Sequence, residues 1–107
     1  MRLTFLGTGT STGVPSIACD CETCRSDDPR DKRLRVSVLI EHAGQTVIVD
    51  TSTDFRQQAL RHRLKHLDAV LVTHEHGDHA GGLRVLLSAV DCPVYISAKT
   101  CDAYVSE

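Results

Sequence analysis

The 107-residue chain sets 12 Lys plus Arg against 14 Asp plus Glu, a formal net charge of −2, and has two Tyr, two Phe and no Trp. That balance argues against a nucleic-acid surface of basic patches and stacking rings, and a chain this short buries only about 60 to 68% of its unfolded surface, enough for one domain of modest stability. No apolar run approaches the ~20 residues that a spanning helix needs, and the start Met1-Arg2-Leu3-Thr4-Phe5-Leu6-Gly7 lacks a signal-peptide core, so the sequence reads as cytoplasmic.

Arg2 to Leu6 predicts a short strand that breaks at Gly7-Thr8-Gly9-Thr10-Ser11-Thr12-Gly13. The Gly7-x-Gly9-x-x-x-Gly13 spacing is one residue too long for a dinucleotide fingerprint, so this run reads as a turn lining a functional edge. Positions 25 to 35 hold five positive and three negative charges, the pattern of a solvated loop rather than a phosphate patch. Val36 to Glu41 and Thr46 to Val49, joined through His42-Ala43-Gly44-Gln45, read as a hairpin of two mostly buried strands that Asp50 closes.

Thr51-Ser52-Thr53-Asp54 offers N-caps for a helix with Phe55, Ala59, Leu60 and Leu64 on its inner face and Arg61, Arg63 and Lys65 at its C-terminal end. Ala69-Val70-Leu71-Val72 is a buried strand by its apolar, β-branched content, and it leads straight into Thr73-His74-Glu75-His76-Gly77-Asp78-His79. Leu83, Leu86, Leu87 and Val90 mark an amphipathic helix. Pro93 to Ile96 predicts a last strand, and Ser97 caps a helix that starts near Lys99, inside which the chain stops. Strands alternating with single helices make this an α/β chain.

Two clusters carry chemistry. The five cysteines cannot close into pairs, and Cys19-Asp20-Cys21-Glu22-Thr23-Cys24 crowds three thiols where a soft ion fits better than a disulfide framework. Cys19, Cys21 and Cys24 are therefore candidate structural zinc ligands, with a fourth ligand open among Cys92, Cys101 and a loop histidine. In the second cluster, His74-x-His76-x-Asp78-His79 brings three imidazoles and a carboxylate into six residues, a pattern that this composition yields by chance roughly 0.002 times. Alternate side chains on extended backbone share a face, so His74 and His76 can share one ion; a sharp turn at Gly77 then lets Asp78 and His79 face a second. Glu75 reads as a surface residue, as do His42, His62 and His66, whereas Cys92 and Cys101 read as small buried hydrophobes.

Leu6-Gly7-Thr8-Gly9-Thr10, Val47-Ile48-Val49-Asp50 and Thr73 to His79 resemble the metallo-β-lactamase superfamily in order and spacing. The cysteine insert, at about residues 15–35, and Asp50-Thr51-Ser52-Thr53-Asp54-Phe55-Arg56-Gln57-Gln58 further resemble its phosphoribosyl cyclic phosphodiesterase subgroup, although a pyrroloquinoline quinone biosynthesis branch is similar too. The resemblance implies that residues 1–107 are the N-terminal half of an αββα sandwich, whose second half would supply a further His, a metal-bridging Asp and a last His. It implies two divalent ions, zinc or manganese, held by His74, His76, Asp78 and His79, and a third, structural zinc at the cysteines. Asp78 and Asp50 are the candidate catalytic carboxylates, Asp50 as the strand-end acid supporting the metal loop. The implied reaction is hydrolysis of a small phosphodiester by a metal-bridging hydroxide. Two alternatives stand beside it: a transfer-RNA 3′-processing nuclease, and a non-catalytic zinc-binding or biosynthetic accessory protein. Half of a sandwich exposes an apolar sheet face, so association into a homodimer, swapping or aggregation is expected.

Overall fold

The structure, a computed structural model, describes residues 1–106. Its centre is a five-stranded sheet in sequence order: β1 (Arg2–Gly7), β2 (Ser37–His42), β3 (Gln45–Val49), β4 (Ala69–Leu71) and β5 (Val94–Tyr95). The first three strands run antiparallel and the last two join in parallel. The helices are α1 (Phe55–Arg61), α2 (Gly77–Ala80), α3 (Leu83–Ala89) and α4 (Ala98–Val105). None is long and apolar enough to cross a membrane.

Only one face of the sheet is covered. Leu39, Ile48 and Val70 point into a core completed by Phe55 of α1, Leu83 and Leu86 of α3, and Leu67, Val72 and Ala80. The register puts Leu3, Phe5, Val38, Ile40, Val47, Val49, Leu71 and Tyr95 together on the opposite face. Phe5 is 65% exposed there and Tyr95 60%. The hairpin strands are thus half-buried rather than buried through, because both faces are apolar while a single layer of helices covers one of them, whereas β4 is buried as expected at Ala69 and Val70, with Leu71 38% exposed.

The hairpin turn is tighter than the sequence suggests. His42 pairs with Gln45, leaving a two-residue loop with Ala43 at φ +51° and Gly44 at φ +78°, the left-handed pair that matches the twist of the flanking strands.

Helix α1 departs furthest from expectation. It stops at Arg61, so Leu64, Arg63 and Lys65 lie beyond it, and Leu60 is 61% exposed. Its buried positions are Phe55 and Gln58. The Gln58 amide is fully employed inside: Oε1 accepts from the Ser52 hydroxyl at 2.8 Å, and Nε2 donates to the Arg35 carbonyl at 2.8 Å. Asp54 makes no side-chain cap; its carboxylate takes the Arg35 guanidinium and backbone N–H, each at 2.9 Å. Arg35 therefore leaves the solvated charge run to anchor the segment before β2 onto α1. Gly7 makes this closure feasible, since a Cβ there would stand 2.1 Å from the Arg35 carbonyl oxygen.

The remaining expectations map closely. In α3, Leu83 and Leu86 are buried, Val90 packs against the core and Leu87 is 45% exposed. Ser97 caps α4 by accepting from the Thr100 N–H at 3.1 Å, and the helix ends at Val105.

The open face predicts self-association of the 107-residue chain. Sedimentation velocity should give a mass that climbs with concentration, and a Phe5→Lys, Tyr95→Lys double variant should hold the chain monomeric. A wild-type chain that stays monomeric throughout would contradict it.

Candidate metal centre

Gly7 stands beside Ser37, Val38 beside Val49, and Val49 beside Leu71, so the segments leaving β1, β3 and β4 emerge at one edge of the sheet. There the glycine and threonine run after β1 folds back on residues 33–35: the Gly9 N–H donates to the Leu34 carbonyl at 2.7 Å and the Val14 N–H to the Arg33 carbonyl at 3.0 Å.

Asp50, the first residue after β3, organises the edge. It is 5% exposed and sits at φ +61°, a left-handed backbone that aspartate tolerates better than most residues. The turn aims its carboxylate across the sheet at the loop after β4. Oδ1 accepts from the Thr73 N–H at 2.8 Å; Oδ2 accepts from the Thr73 hydroxyl at 2.6 Å and from His79 Nδ1 at 2.8 Å. An ionised carboxylate only accepts, so His79 carries its proton on Nδ1. Thr73, having given its proton to Asp50, can only accept from His74 Nδ1, 2.9 Å away. One carboxylate thereby sets the tautomer of two imidazoles and leaves the Nε2 lone pair of each free.

Those rings lie together. His74 stands 4.0 Å from His79 and 4.6 Å from His76, centroid to centroid. His79 Nε2 is 3.2 Å from Asp78 Oδ2, two acceptors face to face, which requires a proton or a cation between them. The donor set therefore fits a divalent ion. Asp50, His74 and His79 each offer a ligand atom within 4.8 Å of the others, but with three donors already on it Asp50 is better placed to orient the ligands than to join them. Asp78 and His79 ride on α2, where the His79 and Ala80 N–H groups donate to the His76 carbonyl at 2.8 and 2.9 Å.

Gly77 does not make the sharp turn expected of it: it opens α2, and a Cβ there would meet nothing within 4 Å. Gly82 is the glycine that the packing requires, with Ser52 O 2.6 Å and Phe55 Cβ 2.5 Å from where its Cβ would stand. That contact seats the loop after β3 on the link between α2 and α3, as does the Gly82 N–H to the Thr51 carbonyl at 3.0 Å, while the Thr51 N–H reaches the His79 carbonyl of α2 at 2.8 Å. Glu75 is half-buried rather than on the surface, while His42, His62 and His66 are exposed as expected.

The sulfurs of Cys19, Cys21 and Cys24 also gather within 4.8 Å of one another. The Cys24 N–H donates to Cys21 Sγ and the Ser16 N–H to Cys24 Sγ, both at 3.4 Å. The Cys24 amide, helped by the neighbouring thiols, holds the Cys21 thiol below its usual range. At Cys24 the Ser16 amide favours thiolate, yet the crowding of Cys19 and Cys21 together with burial leaves the thiol raised. Three sulfurs in this space need a cation before all can ionise. Among the described residues no fourth ligand joins them; Cys92 packs against the core, where burial pushes its thiol up, and Cys101 is half-buried.

Sequence reasoning assigned no role to Thr73. Its signal was chemical: a hydroxyl beside a ligand histidine can donate to one group and accept from another. Replacing Thr73 with Val should keep the fold by circular dichroism and weaken zinc or manganese binding by about 10 to 100-fold in a metal titration. Unchanged affinity would refute the relay.

The sequence pattern of the metallo-beta-lactamase superfamily matches residues 30–105. An octanoyltransferase of Porphyromonas gingivalis is 58% identical over 84 residues, 78% of this chain and 17% of that protein. A ribonuclease Z of Bradyrhizobium diazoefficiens is 33% identical over 82% of this chain and 25% of its own length. Among solved structures, a diphosphatase from the PhnP family superposes with a TM-score of 0.93 at 44% identity, covering 97% of this chain and 44% of that one. Zinc-bound PqqB from Methylobacterium extorquens shares the fold at a TM-score of 0.87 and 24% identity, over 100% of this chain and 40% of that one. The chain thus spans a quarter or less of these curated relatives. On the matched pattern, the α/β sheet and the imidazole edge together, the chain belongs to the metallo-beta-lactamase superfamily.

Proposed function

We propose that this chain forms part of a metal-dependent hydrolase acting on a small phosphodiester. The observation that carries the reading is the orientation of the His74 and His79 rings by Asp50 and Thr73 through Nδ1, which turns both Nε2 atoms outward, that of His79 against Asp78. His74 and His76 would hold one ion, Asp78 and His79 a second. When bound, such ions bring the pKa of a coordinated water near neutrality and offset charge developing on phosphoryl oxygens. The protein's own contribution is positional: Asp50 holds the Nδ1 protons of His79 directly and of His74 through Thr73, so both rings present a lone pair without reorganising. Zinc and manganese both suit a mixed imidazole and carboxylate set.

A small phosphoryl substrate is preferred because the PhnP-family diphosphatase is 44% identical over nearly the whole chain, and the diester linkage rests on the resemblance to the cyclic phosphodiesterase subgroup. Transfer-RNA processing is the second reading, favoured by the match to ribonuclease Z. The low count of aromatic residues and the acidic net charge weigh against it. The octanoyltransferase name describes a protein of which this chain spans 17%, so acyl transfer is not carried over. A non-catalytic accessory role stands third. We further assign a structural zinc to Cys19, Cys21 and Cys24, a cytoplasmic location that keeps those thiols reduced, and a homodimeric partner.

The full-length protein loaded with Mn²⁺ or Zn²⁺ should hydrolyse bis(p-nitrophenyl) phosphate, and His76→Ala should lower kcat by at least about 100-fold. A fully metallated protein without turnover would favour the accessory role instead. Separately, Cys21→Ser should remove one equivalent of zinc by elemental analysis while the imidazole ions remain, and unchanged zinc content would remove the structural-zinc assignment.

A further inference from the structure

At the edge of the sheet opposite the imidazoles, cations from separate parts of the chain surround a concavity of about 300 Å³, with buried Leu39 at its floor. Arg2 of β1 enters from one side and Arg63 and Lys65 from the segment after α1, with the His62 and His66 side chains beside them. The volume is at the small end of ligand sites. Arg2, Glu41 and Thr46 form one row across β1, β2 and β3 on the helix-covered side of the sheet, so the concavity is separate from the open apolar face.

The charges there are not balanced within the chain. Glu41 is spent on Arg2, accepting from Nε at 3.2 Å and from Nη2 at 3.1 and 3.2 Å. Asp68, behind the concavity, accepts from the Thr46 N–H at 2.7 Å and pairs with His66 Nε2 at 2.9 Å, and those two partners, the amide first, hold its carboxyl below the usual range. Among the described residues, Arg63 and Lys65 have no carboxylate partner. Like charges gathered over one hollow repel, and an anion relieves them.

Arg63 adds a second argument. The Leu64 N–H donates to the Ala59 carbonyl at 2.9 Å and the Arg63 N–H to the Leu60 carbonyl at 3.2 Å, a Schellman cap that places Arg63 at φ +53°. Glycine takes that position at no steric cost, and arginine does not. A cation stands where the backbone favours glycine, and its side chain lines the hollow.

We propose that this concavity is a second, non-catalytic site that binds a compact phosphate-bearing anion, a diphosphate group either free or at the end of a nucleotide. Arg63 and Lys65 supply unpaired charge and Arg2 flanks them. The site is independent of the metal centre and of the reaction proposed there.

The test is calorimetric titration of the full-length protein with inorganic diphosphate and, in a separate arm, with adenosine diphosphate. The wild type should bind at least one of them, and the arm that binds tighter identifies the source of the group. An Arg63→Gly, Lys65→Gln variant should lose more than about tenfold in affinity, while Arg63→Gly alone should raise the melting temperature by roughly 2 to 6 °C as the strained residue is relieved. A His74→Ala, His76→Ala variant should keep the binding. No binding by the wild type, unchanged affinity in the Arg63→Gly, Lys65→Gln variant, or loss confined to the histidine variant would overturn the proposal, the last because the anion would then sit at the metal centre.

Discussion

A single buried carboxylate holds the functional edge of this molecule together. Asp50 receives the Thr73 amide, the Thr73 hydroxyl and His79 Nδ1, and through the hydroxyl it also governs His74. A 5% exposed carboxylate is tolerable only because hydrogen-bond donors replace the water it lost. Its left-handed backbone aims it sideways along the sheet edge, so the chain accepts local strain in return for tying the end of β3 to the loop after β4. Ligand histidines on a loop would otherwise sample rotamers and tautomers, and each lost degree of freedom would have to be offset by the ion itself.

The surroundings of Asp50 extend the same logic inward. Thr51 exchanges backbone hydrogen bonds with α2 and the glycine after it, Gly82 presses against Ser52 and Phe55, and Ser52 braces the buried Gln58. Gln58 then grips the strand-entry segment at Arg35, which Asp54 also holds. Polar contacts from three connecting segments and from helices α1 and α2 thus converge on the segment between β3 and α1. Every one of them pairs, apart from the Thr51 hydroxyl, which has no partner among the described residues. Satisfied networks of this kind are rigid because releasing any one member leaves others unpaired in a low-dielectric interior.

The sheet itself is two-sided in character. One face is a core with α1 and α3 over it, and the other is apolar but open. The imidazoles lie toward the C-terminal ends of β3 and β4, and Arg63 and Lys65 toward the opposite end of the sheet. An α/β layer allows this separation, because loops at the two ends of the strands do not compete for the same space.

Much of this was readable from residue order. Apolar periodicity located the five strands and the α3 face, the hydroxyl of Ser97 announced α4, and the His-x-His-x-Asp-His spacing pointed to a metal edge, because these signals are local in the sequence. What residue order could not say was decided by packing over long separations. Gln58 has no place in the apolar pattern and gains one only when Ser52 and Arg35 close around it, and Asp54 reads as a helix cap until Arg35 claims it. Thr73 reads as a spacer until Asp50, 23 residues earlier, turns its hydroxyl into a relay. Arg63 and Lys65 read as helix-end cations until the helix stops short and Arg2 comes alongside. Composition and period set which groups the chain owns and which elements carry them; only the folded sheet, by bringing loop ends within hydrogen-bonding reach, selected which of those groups act together.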